Sequence, residues 1–108
     1  IKTLTRETVE QNGPFFGDPE KMPRHALTMG VGTINDARET LLLATGKGKA
    51  AIIAEACEGA LSAWVTASAL QMHPHATIIL DEDAASELKN YDYYKWCYQN
   101  KPEWQKEF

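Results

Sequence analysis

Two apolar runs that do not alternate, residues 40–45 (TLLLAT) and Ala76–Leu80 (ATIIL), constrain this chain more than any other feature. A strand with one face in water alternates apolar and polar residues. A strand covered on both faces reads as a continuous apolar run, and such strands are typically parallel. Between the runs, Ala50, Ile53, Ala54, Cys57 and Leu61 recur at spacings of three and four on one helical face, and TASALQMH continues as a second helical piece. Strand, helix, strand is the order of a parallel α/β sheet with helical crossovers.

The flanking segments extend that pattern. IKTL reads as a short strand, and Thr5 as the N-cap of a helical turn through RETVEQN. Residues 13–23 hold three prolines and two glycines and read as a loop, anchored by Phe15 and Phe16. HALTMGVGT reads as a buried strand ending at Gly30 or Gly32, and INDARE as a short helix. DEDAASELK reads as a helix with Asp83 as its N-cap, and YDYYKWCYQNKPEW as an aromatic helix ending near Pro102. The expected fold is a doubly wound, mostly parallel α/β sheet. With three central strands and one short one the sheet is narrow, so the expectation is half of an α/β domain. The chain opens at Ile1, without an initiator Met, in a stretch that already reads as structured, which suggests a piece of something longer.

Composition narrows the partners. A formal charge of −4 argues against nucleic acid or an acidic membrane, both of which reward a basic surface. It leaves a small anion open, since that needs only one or two local positive groups. Two widely separated cysteines, Cys57 and Cys97, without a CxxC or His-spaced partner, favour a reduced, cytoplasmic protein over a disulfide scaffold. No apolar run approaches the roughly 20 residues that span a bilayer, and no signal-peptide layout is visible.

The strongest candidate site is the turn TGKGKA, which lies between an apolar strand and a helix start. The first amides of a helix are unpaired and its dipole favours negative charge there. Gly46 and Gly48 let an anion approach the backbone, Lys49 stands at the first turn and Lys47 within the loop. A surface turn with solubilising lysines reads the same way. It is no Walker A loop, because the leading glycine spacing fails and Ala50 replaces the Ser/Thr that would reach magnesium. GVGT lacks the third glycine of a dinucleotide fingerprint. His73 and His75 flank Pro74 without an acidic or thiol partner, so His73 reads as a hydrogen-bonded structural residue and no metal site is expected. DEDAASE holds either a catalytic carboxylate or a helix cap. Tyr91, Tyr93, Tyr94, Trp96 and Tyr98 read as packing or subunit contact, and no nucleophile–base pair stands out.

Several blocks carry a resemblance. IKTLT, the paired phenylalanines before a proline-marked loop, ALTMGVGTINDARE, LLLATGKGKA and EACEGALSAWVTASALQMHPHATIILDEDAASELK together resemble the C-terminal half of the glucosamine-6-phosphate deaminase family, from Ile1 to about Lys89. The Tyr-rich tail after Asn90 is variable in that family.

The resemblance implies a Rossmann-like fold and conversion of glucosamine 6-phosphate to fructose 6-phosphate and ammonia, with no metal or organic cofactor. It implies that Lys49, with Gly48 beside it, holds the substrate phosphate. The family's catalytic carboxylates, ring-opening histidine and first phosphate loop precede the stretch matching Ile1. No catalytic residue is therefore assigned to this chain, and activity is expected only of a longer parent. Some members are hexamers switched by N-acetylglucosamine 6-phosphate, which implies a homo-oligomer and an effector contact at Lys2 and Thr3; a solvated edge-strand lysine reads equally well at position 2. Two departures stand out: Pro14 where many members carry a phosphate-binding arginine, and Asn35 at a usually apolar position. A related sugar-phosphate isomerase or lactonase, and a non-catalytic sugar-phosphate-binding module, remain alternatives.

Overall fold

A computed structural model describes residues 1–105. The chain divides into two compact units, Ile1–Gly30 and Val31–Phe108.

In the first unit, β1 (Lys2–Thr3) pairs antiparallel with β2 (His25–Ala26), Lys2 opposite Ala26 and Thr3 opposite His25. Between them runs α1 (Arg6–Asn12), which starts where the sequence predicts: the Thr5 hydroxyl accepts the Thr8 amide at 3.2 Å. Two 3-10 turns follow, Gly13–Phe16 and Pro19–Lys21. The expected phenylalanine anchor is not seen. Phe15 is 84% exposed and Phe16 also lies open, while Met22 is the buried apolar residue of this loop. HALTMGVGT likewise does not form a long buried strand. A ladder extends only as far as its partner, and beyond Ala26 the two-residue β1 offers none, so Leu27 and Met29 stand exposed.

The second unit opens with α2 (Val31–Asn35), which begins earlier than INDARE predicts and closes through Asp36 N–H to Gly32 O at 3.0 Å. The two apolar runs form β3 (Thr40–Ala44) and β4 (Ala76–Leu80), paired parallel from Thr40 opposite Ala76 to Ala44 opposite Leu80. Parallel pairing is as expected; burial on both faces is not. Leu42, Ile78 and Leu80 are half-buried, whereas Leu41 and Leu43 are 65% and 68% exposed. The described strands make two separate two-stranded sheets rather than one sheet of four.

The crossover carries α3 (Ala50–Glu58) and a 3-10 segment, Thr66–Met72, where the sequence suggests a second helical piece. Both bury small side chains: Ala50 and Ala56 on α3, and Ser68, which is 1% exposed and whose hydroxyl accepts the Ser62 amide at 2.9 Å. α3 stops at Gly59, where a Cβ would stand 2.5 Å from the Glu55 carbonyl oxygen. Leu61, expected on the helix face, therefore lies past its end and is exposed. Residues 82–87 form turns rather than the predicted helix. α4 (Tyr91–Gln99) is the expected aromatic helix, ending three residues before Pro102 and burying no side chain. Among the described residues no helix is long and apolar enough to cross a membrane.

Candidate functional site

The carboxyl ends of β3 and β4 each run into a turn, and the two turns are tied together. After β3, Gly46 takes φ 86° and ψ 151°, a region essentially restricted to glycine. Lys47–Lys49 then make one 3-10 turn, and Lys49 stands at the N-cap position of α3. Inside the turn, Lys49 N–H donates to Gly46 O at 3.1 Å and Ala50 N–H to Lys47 O. Among the described residues, the amides of Lys47 and Gly48 have no partner. Lys49 is half-buried, Lys47 and Gly48 are exposed, and a Cβ on Gly48 would meet open space. Two unpartnered amides and two lysine residues thus fall at the start of a nine-residue helix, a composition that favours an anion.

The Gly46 amide is not available to such an anion. It donates to both carboxylate oxygens of Asp81, at 3.1 and 2.9 Å, from 35 residues away. Asp81 Oδ1 also accepts the Ala84 amide at 2.7 Å, and Asp81 O accepts the Ala85 amide at 3.0 Å. The capping carboxylate of this segment is therefore Asp81, not the expected Asp83. Asp81 has a local partner three residues on, the Ala84 amide, while the Gly46 amide reaches it from another strand's turn. Its position directly after an apolar run was the available signal.

A second carboxylate that sequence reasoning missed is Glu58, the last residue of α3. Its Oε2 accepts the Lys89 amide at 2.8 Å and its Oε1 the Asn90 amide at 2.9 Å, just ahead of α4. Burial acts to raise its carboxyl, and is outweighed by these amides and by hydrogen bonds from Tyr94 and the Asn90 side chain. The net position is below the ordinary carboxylate value. Next to it, burial pushes the Cys57 thiol up, and the Glu58 charge adds to that. A thiol held protonated in this way is a poor nucleophile.

Cys57 lines a cleft of about 740 Å³ with Ile78, Leu80, Tyr91, Tyr94 and Tyr98. Neither Lys49 nor Gly48 lines it, and the turn of residues 46–49 lies outside a second cleft near Thr40, Thr77 and Trp104. Lys2 and Thr3 stand exposed on β1, in the other unit. His73 has the structural role expected of it. It is 8% exposed, its Nδ1 accepts the His75 amide at 3.0 Å, and its Nε2, which must then carry the proton, donates to Ala37 O at 2.8 Å. Asn35 is half-buried; its Nδ2 donates to Ala69 O at 3.3 Å, while Oδ1 is buried without a partner among the described residues. Cys57 and Cys97 are both free thiols. Among the described residues no group of three or more His, Cys, Asp and Glu is placed to hold a metal ion.

With this geometry in hand, the chain can be set beside known proteins. A glucosamine-6-phosphate deaminase of Streptomyces coelicolor is 54% identical over 106 residues, which is 97% of this chain and 41% of the relative. The curated relatives this chain is most readily compared with are named glucosamine-6-phosphate deaminases. The same name belongs to a protein of Bifidobacterium longum subsp. infantis, 55% identical over 106 residues, and to one of Corynebacterium kroppenstedtii, 53% identical over 106 residues. These cover 97% and 98% of this chain and 39% and 41% of the relatives, so the chain spans about two fifths of the deaminases it matches. Among solved structures, a monomeric glucosamine-6-phosphate deaminase described as a missing link of the NagB superfamily matches with a TM-score of 0.76 and 38% identity. That likeness covers 80% of this chain and 36% of the deaminase. No protein-family model matches.

Proposed function

We propose that this chain carries the phosphate-anchoring part of a glucosamine-6-phosphate deaminase. In this reading β3, α3 and β4 are one crossover of a Rossmann-like, doubly wound domain, and residues 1–108 are the C-terminal portion of that single domain. Lys49 supplies the full positive charge and Gly48 an approachable amide for the sugar's phosphate. A dianion held by a charge and by backbone donors fixes the sugar, so that proton transfers take place at a defined carbon. The proton-transfer groups belong to the length of the relatives that this chain does not span. The observation that carries the reading is the coincidence of two facts: an identity of 54% with a deaminase across 97% of the chain, and a strand–glycine–lysine–helix turn at the carboxyl end of β3. Ligands in open α/β sheets bind at that end of the strands.

The test is a titration of this chain with glucosamine 6-phosphate, followed at the Lys47 and Gly48 amides by NMR. Saturable shifts at both, weakened about tenfold or more by Lys49→Ala, are expected, as for loss of a charge-assisted hydrogen bond. Equal affinity in Lys49→Ala would remove the role assigned to that residue. In the parent enzyme the same substitution should raise KM for glucosamine 6-phosphate, with ammonia release as the readout.

The parent is further proposed to be a homo-oligomer in which Lys2 and Thr3 touch an effector such as N-acetylglucosamine 6-phosphate. The solved neighbour is described as monomeric. Sedimentation of the parent, with and without the effector and with Lys2→Ala, decides between the two behaviours.

A further inference from the structure

We infer that Asp81 is a positioning residue for the phosphate turn, a role that rests on the reading just given and extends it to a residue on the neighbouring strand. Its carboxylate is a fixed post. Ala84 N–H holds Oδ1 at 2.7 Å and Ala85 N–H holds its carbonyl at 3.0 Å, so the acid is immobilised from its own side before it meets the other turn. Both of its oxygens then receive the Gly46 amide. Gly46 is the residue whose unusual backbone sets where the next peptide units point, and the next two amides, of Lys47 and Gly48, are those offered to the anion. Within its own turn, the carbonyl of Gly46 is bonded to the Lys49 amide. The contact that orients its N–H side comes from Asp81.

Charge makes the inference discriminating. A carboxylate at the mouth of an anion site repels the anion, so by Coulomb's law alone its removal strengthens phosphate binding. If Asp81 holds the turn in its binding shape, its removal weakens binding, because glycine peptides released from a hydrogen bond regain conformational freedom that a ligand must then restrict. The two accounts predict opposite signs.

The experiment titrates the unaltered chain and three variants with inorganic phosphate, reading the Gly46, Lys47 and Gly48 amides by NMR and checking the β3 and β4 amides for an intact sheet. Asp81→Ala is expected to lose the distinctive Gly46 amide shift and to bind phosphate about tenfold more weakly, the scale of a hydrogen bond to a charged group. Asp81→Asn removes the charge and keeps one of the two acceptor oxygens, so it is expected to bind phosphate no more weakly than Asp81→Ala and no more tightly than the unaltered chain. Asp83→Ala removes an equal charge in the same segment without touching Gly46 and should bind as well as the unaltered chain, or slightly better. Phosphate binding by Asp81→Ala that is unchanged or tighter overturns the positioning role while leaving the phosphate reading intact. Absence of phosphate binding in the unaltered chain overturns the phosphate reading, and this inference with it.

Discussion

Glu58 closes the N-terminal end of α4 through Asn90: its Oε1 accepts the Asn90 backbone amide at 2.9 Å and the Asn90 side-chain amide at 3.2 Å. At the end of its own helix, α3, a carboxylate is on the unfavourable side of the macrodipole. At the start of α4 the same charge is on the favourable side. The residue thus serves a helix other than the one it belongs to. Because α4 buries no side chain, this contact is a principal tie of that helix to the crossover. Glu58→Ala is expected to leave β3, β4 and α3 intact and to release α4, seen as faster hydrogen exchange at the α4 amides and a changed Trp96 fluorescence. Unaltered exchange in α4 would contradict this.

The same contact predicts a pH dependence with a definite sign. The folded-state carboxyl of Glu58 lies below its ordinary value of 4.5, because hydrogen bonds from Lys89, Asn90 and Tyr94 outweigh the effect of burial. A depressed acid stabilises the folded state above the unfolded value and loses that contribution as pH falls through the folded one. The α4 protection should be full above pH 4.5 and fade below it. Glu58→Gln, which keeps an acceptor and has no charge to lose, should flatten that dependence.

Gly46 and Gly48 separate a backbone requirement from an open approach. Gly46→Ala places a side chain in a conformation that L-residues scarcely adopt and should cost about 2 kcal/mol. Gly48→Ala meets no atom within 4 Å and carries no positive φ, so thermal stability should stay within about 0.5 kcal/mol of the unaltered chain. Thermal denaturation of both distinguishes them, and phosphate titration of Gly48→Ala then reports the approach to the turn alone.

Asn35 offers a stabilising change. Its buried Oδ1 lacks a partner among the described residues, and its single long hydrogen bond to Ala69 O recovers little. Asn35→Leu, which has the same branching, should raise stability by about 1 kcal/mol, visible as a shift of about 5 °C in Tm. A lower Tm would mean that the Ala69 contact matters more than the orphaned oxygen.

What could be read from the sequence was what depends on neighbours along the chain. Thr5 caps α1 through a residue three positions on, and the apolar runs at β3 and β4 declared themselves, with a glycine turn and a helix between. His73 was legible as structural because no metal-binding partner lay at suitable spacing. The failures share a cause. Leu27 and Met29 have strand-forming character but no ladder partner; Asp81 does cap a local amide, that of Ala84, but its bond to Gly46 spans 35 residues. Glu58 looked like an ordinary acidic helix residue, and its role depends on where the chain returns 31 and 32 residues later. Of the candidate site, the turn and its lysine could be seen in advance, and the carboxylate that holds the turn could not.

Within the second sheet, every residue of β3 pairs with one of β4, and among the described residues neither strand has another neighbour. Neither can therefore form until the crossover has brought the other alongside, and neither can persist once the other leaves. The Leu42 and Ile78 amides should accordingly exchange with solvent in one shared opening event, with the Gly46–Asp81 clasp breaking in the same step.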